Sequence, residues 1–511
     1  MSTQAIAESQ QVALAVSAAR QNVWSGIGCR LIWSVFMLVT IEALFSIPKL
    51  SIESVRPDLS WLSYLVGVLL VLASAVAMRF AARGFARVGT LITRIEPASW
   101  IVGTLVIGIV ARLFWVTLFP AVPRSDSATY VGLAYKMFRV GEYSVAGTYA
   151  FWPPGYPLFL FGHFNLFGVH WWVPTVANFC LFAATLVVLW VLAQRIGGAI
   201  AARVATLLLA LWPNYIFMTG LVSKENLVIF LLPLAVYLYL RSADSLREPL
   251  RIGAAAGAGL VLGAASLTQP AMLLLIVPIG LYELLELRNW RRSSIRLACV
   301  GLGMIVVIAP WTMRNYRVFN RWVPISTNGG LVFYRANNPL ATGGYIRHGE
   351  YNLELFAEAE WSPMGYKLGL DWIRNHPKDF LTLIWRKQAL FLGDDASGAY
   401  ETLRRERGDL NLAYVIFKAL SQGYWLGLWF LCFAGAWLGR NSNRDQDRRL
   451  ALMIMIVLCL FGIHSIFESG GRYHTPLIPI IAVLAALPFY DPREESRASA
   501  NNELDDAIGA V

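Results

Sequence analysis

Long apolar runs recur along the whole 511-residue chain and limit what it can fold into. A helix needs about 20 mostly apolar residues to cross the hydrocarbon core of a membrane, where its backbone must satisfy its own hydrogen bonds. The runs lie near 28–48, 61–79, 99–119, 173–194, 204–220, 226–241, 253–269, 271–288, 297–313, 414–438, 450–467 and 475–490. They predict an all-α polytopic membrane protein with about twelve transmembrane helices.

The composition excludes a water-soluble fold. Hydrophobic residues make up 57% of the chain and charged residues 15%, whereas about a quarter of a soluble domain is charged. The formal net charge of +11 comes mainly from arginines at the ends of apolar runs. Such loop charges orient helices in a membrane, and they do not form the single basic face that nucleic-acid binding requires. The five cysteines show no CxxC spacing, so neither a zinc site nor a disulfide framework is indicated.

The arginines also indicate how the chain is oriented in the membrane. They gather in alternate short loops, and short loops rich in Lys and Arg stay in the cytoplasm. We therefore predict a multi-pass protein of an inner or plasma membrane with both termini in the cytoplasm. The outer segments are then 120–172, 221–225, 314–413 and 468–474.

The long outer segment 314–413 looks like a small folded unit. It mixes turns rich in Asn, Gly and Pro with a predicted amphipathic helix over 363–391, and we expect a small α cap. Residues 156–172 are apolar but interrupted, which favours a surface-lying or re-entrant piece. The predicted domains are an N-terminal tail plus two additional transmembrane helices at 1–98, a transmembrane core at 99–313 that includes a catalytic first outer loop at 120–172, an extracytoplasmic loop domain at 314–413, C-terminal transmembrane helices at 414–490 and a disordered cytoplasmic tail at 491–511.

Asp126 follows directly on a predicted membrane exit. A carboxylate held at the mouth of a helical bundle could act as a general base or bind a cation. The alternative is a helix cap, because Asp or Ser ahead of an amphipathic stretch satisfies free N–H groups.

Two further outer segments carry paired charges. Lys224 and Glu225 stand side by side at the start of a helix, where a surface ion pair is the alternative to a functional role.

Arg472 follows two glycines, which would let the backbone approach a ligand, and its forked donors suit a phosphate. Arg314 ends another span at the same level, with snorkelling to the interface as the alternative. The shared placement of these residues on one face predicts a site for an amphiphile.

Several motifs resemble, in their order, the bacterial branch of the dolichyl-phosphate-mannose protein mannosyltransferase family. The resemblance covers roughly residues 99–490. Its motifs are Asp126 with Tyr130 and Ala134, Phe151-Trp152-Pro153-Pro154-Gly155-Tyr156-Pro157-Leu158, Ser223-Lys224-Glu225, Thr268-Gln269-Pro270, Pro310-Trp311-Thr312-Met313-Arg314-Asn315-Tyr316, Val323-Pro324-Ile325-Ser326-Thr327-Asn328-Gly329-Gly330 with Asn337-Asn338-Pro339, and Gly471-Arg472-Tyr473-His474-Thr475-Pro476-Leu477.

The resemblance implies a helical bundle of the GT-C class, whose members take a sugar from a polyprenyl phosphate and transfer it on the outer face. It makes Asp126 the general base or the group that orients the acceptor, Glu225 the second acidic residue, and Arg472 the basic residue near the lipid phosphate. The donor phosphate and lipid are assigned to Lys224, Arg314, Arg472 and Tyr473, and the substrate loops to Tyr130, Pro154, Tyr156, Asn337 and Asn338. The chain departs from the family at Gln269, where many relatives have arginine.

The expected function is therefore a membrane glycosyltransferase that uses a polyprenyl-phosphate sugar donor. Its acceptor is a glycan, a lipid or a protein of the cell envelope, and its partners include the lipid bilayer and no nucleic acid. No metal site is assigned. A divalent metal ion is possible, but no pattern in the sequence indicates one. The alternatives are a transporter or flippase of lipid-linked saccharides and a polysaccharide polymerase or ligase. Transporters commonly show internal repeats, and we find none here.

Overall fold

The computed structural model describes residues 3–53, 57–244, 247–286, 290–404, 411–438 and 444–489, so the predicted disordered tail at 491–511 lies outside them. Helices make up most of these residues. The only strand-like pairing in the described ranges is an isolated bridge between Val145 and Thr148. The predicted all-α fold is confirmed.

The principal helices follow one another with short connections, apart from the outer segments. In chain order they are α1 (Thr3–Glu53), α2 (Ser60–Thr93), α3 (Pro97–Leu118), α4 (Asp126–Val140), α5 (Gly155–Phe167), α6 (Val173–Ala210), α7 (Pro213–Phe217), α8 (Lys224–Asp244), α9 (Glu248–Thr268), α10 (Ile276–Glu286), α11 (Trp290–Phe319), α12 (Gly329–Ala336), α13 (Glu358–Asn375), α14 (Pro377–Gly393), α15 (Leu412–Trp437), α16 (Arg444–Ile466) and α17 (Ile478–Ala485).

The predicted count of about twelve membrane-spanning helices is not confirmed. Nine helices in the described ranges are long and apolar enough to cross a membrane. Two of the predicted spans form shorter apolar helices, Pro270–Leu285 and Thr475–Phe489. A third, 204–220, is divided between the end of α6, which continues from the preceding predicted span, and α7.

A sharp break divides α6. Gly197 and Gly198 have non-helical backbone angles, and Gly198 has a φ of 70° and a ψ of −165°. Only glycine adopts this conformation readily, because a Cβ would clash with the backbone. The break lies where the hydropathy pattern predicts a loop between two spans.

One prediction about the outer segments needs correction. The amphipathic helix expected over 363–391 consists of two helices, α13 and α14, which meet at His376. His376 leaves the helical region with a φ of −131° because the ring of Pro377 excludes it from helical geometry. Residues 156–172 begin with α5, a continuous helix of 13 residues. A helix of this length is too short to cross a membrane.

The two N-terminal helices form part of the bundle. α1 packs against α2, α14, α15 and α16. α1 and α2 approach closely, since an added Cβ at Gly67 of α2 would lie 2.6 Å from the ring of Phe45 of α1. At the other side, an added Cβ at Gly393 would lie 2.3 Å from Leu50. α1 therefore touches the end of α14, from which the chain enters the region of the candidate site.

The opposite ends of α8 mark two ends of the bundle. The helix has 21 residues and is therefore about 30 Å long. At its C-terminal end, Asp244 forms ion pairs with Arg195 at 2.7 Å and with Arg449 at 3.1 Å. Arginines from two of the predicted cytoplasmic loops thus pair with one carboxylate at that end. Glu225 stands at the other end of the same helix.

α9 packs against α8 and α11. An added Cβ at Gly259 would lie 2.2 Å from the backbone oxygen of Val300, and one at Gly303 would lie 2.6 Å from that of Ala256. Small residues at such contacts let backbones approach within a membrane, where packing drives helix association. Backbone atoms cannot move aside for a methyl group as a flexible side chain can.

We expect Gly303→Ala to destabilise the bundle by ~1–3 kcal/mol, because the added methyl group overpacks the contact between α9 and α11. The matched control is Gly301→Ala on the same helix, where an added Cβ meets nothing within 4 Å. That change should be neutral or stabilising, since alanine favours helix more than glycine does. The measurement is the melting temperature of each purified variant in detergent. Equal melting temperatures for the two variants would contradict the packing argument.

Candidate active site

Asp126 and Arg472 form an ion pair at one end of the bundle. Nη1 of Arg472 lies 3.0 Å from Oδ2 of Asp126, and both side chains are partly exposed. Ser125, and not Asp126, occupies the N-cap position of α4, and its φ of 49° is unusual for a residue other than glycine. Strained backbone of this kind is concentrated at functional sites. The geometry of Asp126 therefore favours the pairing with Arg472 over the helix-cap alternative.

A cavity of about 80 Å³ opens beside this ion pair. Its lining comes from the start of α4, from the turn that leads into α8, from two residues just after α14, and from Arg472. The three outer segments in which the sequence analysis found candidate acids and arginines thus meet around one space. The surroundings combine carboxylates with guanidinium groups, which suits a polar and partly anionic ligand.

Glu225 lies in the first turn of α8 and lines the cavity with 8% of its surface exposed. The N-terminal end of a helix stabilises a carboxylate there. The carboxylate accepts a hydrogen bond from the hydroxyl group of Ser223. In the part of the chain that the structure describes, no ion pair joins it to Lys224, so the surface-pair alternative is not observed. Lys224 lies near His464 of α16 and outside the cavity lining.

The loop between α16 and α17 supplies Arg472. The guanidinium carbon of Arg472 lies 5.4 Å from the centre of the Tyr473 ring, and the Tyr473 hydroxyl donates to Glu468. Glu468 is buried, and this burial raises the pKa of its carboxyl group. An added Cβ at Gly471 would lie 2.2 Å from the backbone oxygen of Asp394. This glycine therefore lets the loop pass close to a second backbone segment, and the approach to a ligand expected from the sequence is not its observed use.

Tyr130 is the aromatic residue of the predicted substrate loop that reaches the cavity. Its ring centre lies 5.7 Å from that of Trp152 and 5.3 Å from that of Tyr156. Burial and the charge of Asp126 raise its pKa well above the ordinary value, so its hydroxyl remains a hydrogen-bond donor. Pro154 and Tyr156 are buried and do not line the cavity, and the Tyr156 ring supports Tyr130 from within the protein.

Arg314 holds the first outer segment in place. Its Nη1 donates to the carbonyl oxygen of Tyr149 at 2.6 Å, and its Nη2 donates to that of Tyr143 at 2.7 Å. The guanidinium carbon also lies 4.8 Å from the centre of the Trp311 ring. Because Arg314 does not line the cavity, its geometry does not support the phosphate-binding role that the sequence suggested.

Asn337 and Asn338 are buried, and their amide groups bond within the protein. Oδ1 of Asn337 accepts from Nζ of Lys387 at 2.9 Å, and its Nδ2 donates to the carbonyl oxygen of Ile466 at 3.0 Å. Asn338 donates to two carbonyl groups in the last turn of α12, and its Oδ1 accepts from the backbone N–H two residues later. Asn337 thus joins α12 to α14 and α16, and Asn338 closes the C-terminal end of α12. These contacts are structural, and the role of Asn337 and Asn338 in a substrate loop stays a prediction.

Sequence reasoning missed the segment that follows α14. Asp395 is fully buried and accepts hydrogen bonds from Nε1 of Trp212 at 2.6 Å and from Nδ2 of Asn214 at 2.5 Å. Nε2 of His474 lies 3.1 Å from the same carboxylate. Two residues further on, Ser397 lines the cavity. The available signal was two adjacent aspartates followed by four small residues at the end of an apolar helix.

The site can exchange a proton and hold an anion. Asp126 and Glu225 are proton acceptors, and Arg472 presents planar donors that can hold a phosphate through two oxygens. The described residues contain no group of three or more His, Cys, Asp or Glu side chains that could hold a metal ion. The immediate partner of Asp126 is a guanidinium group.

Fold and site together define a polytopic all-helical membrane protein with an acid-and-arginine cavity at one end of its bundle. Residues 152–313 match the sequence model of the dolichyl-phosphate-mannose-protein mannosyltransferase family. This match agrees with the family resemblance that the motifs carry. No curated protein sequence matches the chain.

The solved structures that match the chain are distant in sequence. The oligosaccharyltransferase from Archaeoglobus fulgidus in the apo form is 13% identical, with a TM-score of 0.47 over 81% of this chain and 52% of that one. ArnT from Cupriavidus metallidurans bound to undecaprenyl phosphate is 16% identical, with a TM-score of 0.41 over 77% of this chain and 78% of that one. The chain thus spans about half the length of the first of these proteins.

Lys387 should make the stability of the protein depend on pH. Burial lowers its pKa from 10.5 to about 7. Between these values the unfolded chain binds more protons than the folded one, so stability should rise with pH by up to about 1.4 kcal/mol per unit. Below the pKa of the folded state, Lys387 is protonated in both the folded and the unfolded protein, so the full free-energy cost of burying its charge remains.

The measurement is the melting temperature of wild type and Lys387→Met in detergent between pH 7 and 9. Wild type should gain stability across this range, and the variant should lack that gain. Lys367→Met, on the exposed face of α13, is the control and should behave like wild type. Parallel profiles for wild type and Lys387→Met would show that Lys387 is charged in the folded protein.

Proposed function

We propose that the protein is a glycosyltransferase that moves a sugar from a polyprenyl-phosphate donor to a glycan, lipid or protein of the cell envelope, on the extracytoplasmic face. The observation that carries this proposal is the ion pair between Asp126 and Arg472, 3.0 Å long, at a cavity that Glu225 also lines. The family match over residues 152–313 supports sugar transfer as the reaction class. The donor class comes from the family resemblance.

The reaction needs a proton acceptor beside an anion holder. An acceptor hydroxyl attacks the anomeric carbon, its proton passes to the carboxylate of Asp126, and the bond from the anomeric carbon to the phosphate oxygen breaks. The electron pair of that bond leaves with the lipid phosphate, whose negative charge Arg472 stabilises. Direct attack of this kind inverts the anomeric configuration. Glu225 lines the same cavity and is assigned to orient the acceptor.

The pairing of Asp126 with Arg472 leaves both residues able to take part in the reaction. A guanidinium group has five N–H donors, so Arg472 can bind two phosphate oxygens while Asp126 turns to the acceptor. The pair also prevents either charge from remaining uncompensated in a partly desolvated cavity. Donor binding therefore exchanges one ionic partner of Arg472 for another and releases the base.

The distribution of arginines supports an extracytoplasmic site. The ion-paired arginines around Asp244 lie at one end of α8, and Glu225 lies at the other, about 30 Å away. Because arginine-rich short loops stay in the cytoplasm, the cavity is assigned to the outer end of the bundle. A cavity at the end of the bundle also fits an enzyme better than a transporter, whose substrate site lies near the middle of the membrane.

Asp126→Asn should lower sugar transfer by about 10²–10⁴-fold, because the amide keeps the shape of the side chain and cannot take up the proton. Transfer is measured in proteoliposomes with a panel of radiolabelled polyprenyl-phosphate sugars and a cell-envelope extract as acceptor. Asp379→Asn, at an exposed position on α14, is the matched control and should transfer like wild type.

Equal transfer by wild type and Asp126→Asn would remove the base assignment and leave the transferase in place. If wild type transfers no sugar from any donor and instead moves a labelled lipid-linked saccharide across the bilayer, the protein is a flippase. Elongation of a glycan from lipid diphosphate donors alone would instead identify a polymerase or ligase.

Arg472→Lys should reduce transfer by about 10²–10³-fold, because lysine keeps the positive charge and loses the planar fork that holds two phosphate oxygens. The affinity for undecaprenyl phosphate, measured by calorimetry in detergent, should fall in parallel. Arg321→Lys serves as the control, since Arg321 pairs with Glu360 on the exposed cap at 2.7 Å. Unchanged affinity in Arg472→Lys would place the phosphate elsewhere.

A further inference from the structure

The segment that follows α14 forms a wall of the cavity that no motif had assigned. Ser397 and Glu401 line the same space as Asp126 and Arg472. Glu401 lies in a single turn of π-helix, Tyr400–Arg404. Such turns are uncommon and occur frequently at functional sites.

Buried neighbours hold Glu401 in position. Ala399 and Leu403 are fully buried, and Thr402 is 2% exposed. Ala399 and Leu403 belong to an apolar cluster that includes the end of α3 and α7. Glu401 is the member of this turn that faces the cavity, so its carboxylate belongs to a fixed surface.

The start of the segment is fixed as well. The backbone N–H of Gly398 donates to Oδ1 of Asn214 at 2.7 Å, and an added Cβ at Gly398 would lie 2.8 Å from Phe217. The carboxylate of Asp395 accepts from Trp212 and Asn214. The segment therefore cannot shift along α7 without breaking several buried hydrogen bonds.

The same carboxylate connects this wall to the phosphate side of the site. His474 lies 3.1 Å from Asp395, and it stands two residues after Arg472 in the chain. Asp395 thus fixes the loop that carries Arg472 relative to the turn that carries Glu401. A ligand held by Arg472 meets Glu401 at a defined position.

We propose that Glu401 is a specificity-determining residue that binds hydroxyl groups on the sugar of the donor. This inference rests on the proposed function. The anomeric carbon must lie beside both Arg472 and Asp126, so the ring attached to it enters the cavity that Glu401 lines. A carboxylate accepts hydrogen bonds from two adjacent hydroxyl groups at once, whereas the acceptor needs to present only one hydroxyl group at this place.

The test compares wild type with Glu401→Gln in the proteoliposome transfer assay, with the panel donor that wild type uses. KM for that donor should rise about 10-fold or more, because the amide loses the charge-assisted hydrogen bonds of the carboxylate, and kcat should change much less. Affinity for undecaprenyl phosphate, which has no sugar, should stay at the wild-type value. Glu401→Asp keeps the charge and should give an intermediate KM.

Glu248→Gln is the matched control, because Glu248 pairs with Arg251 at the end of the bundle opposite the cavity. It should leave both KM and the affinity for undecaprenyl phosphate unchanged. Wild-type KM in Glu401→Gln overturns the assignment of Glu401 while the transferase stands. Loss of affinity for undecaprenyl phosphate in the same variant also overturns it, since Glu401 would then support the phosphate side. Absence of sugar transfer by wild type overturns the proposed function and this inference together.

Discussion

The ion pair between Asp126 and Arg472 joins two residues 346 positions apart in the chain, and the geometry of the site depends on it. A partly exposed pair of this kind contributes little stability by itself. Its position must therefore be imposed by the surrounding structure. The start of α4 and the loop before α17 meet because the bundle brings both to one end, and close backbone contact at Gly471 sets how far the loop can approach.

Buried polar contacts behind the cavity supply the rigidity that the ion pair lacks. Asp395 gathers donors from α7 and the segment before it, and faces His474 from the loop that carries Arg472. The ring of His474 stacks on Trp425 of α15, with centres 4.4 Å apart. Removing one partner from such a buried network leaves another polar group unsatisfied, which is costly in a low-dielectric interior. This buried network therefore holds the segment that carries Glu401 and the loop that carries Arg472 in fixed positions.

The site residues predicted from the sequence fall into two groups, those that line the cavity and those that bind backbone groups of the protein. Asp126, Glu225 and Arg472 were identifiable because the predicted topology places all three on one face of the membrane, and they meet at one cavity. Arg314, Asn337 and Asn338 carry the same motif signal but bind backbone groups of their own protein. A motif records which residue types a family needs, and it does not separate those that touch a ligand from those that hold the loops.

The sequence by itself determined the all-helical membrane fold and most of its spans, because hydropathy and the need to satisfy backbone hydrogen bonds act over short stretches of chain. Local chemistry also explains the break before Pro377, although the amphipathic pattern concealed it. Only the tertiary structure decided that Asp395 and Glu401 belong to the site. Their roles depend on Trp212, His474 and Arg472, and no local pattern records contacts between residues so far apart in the chain.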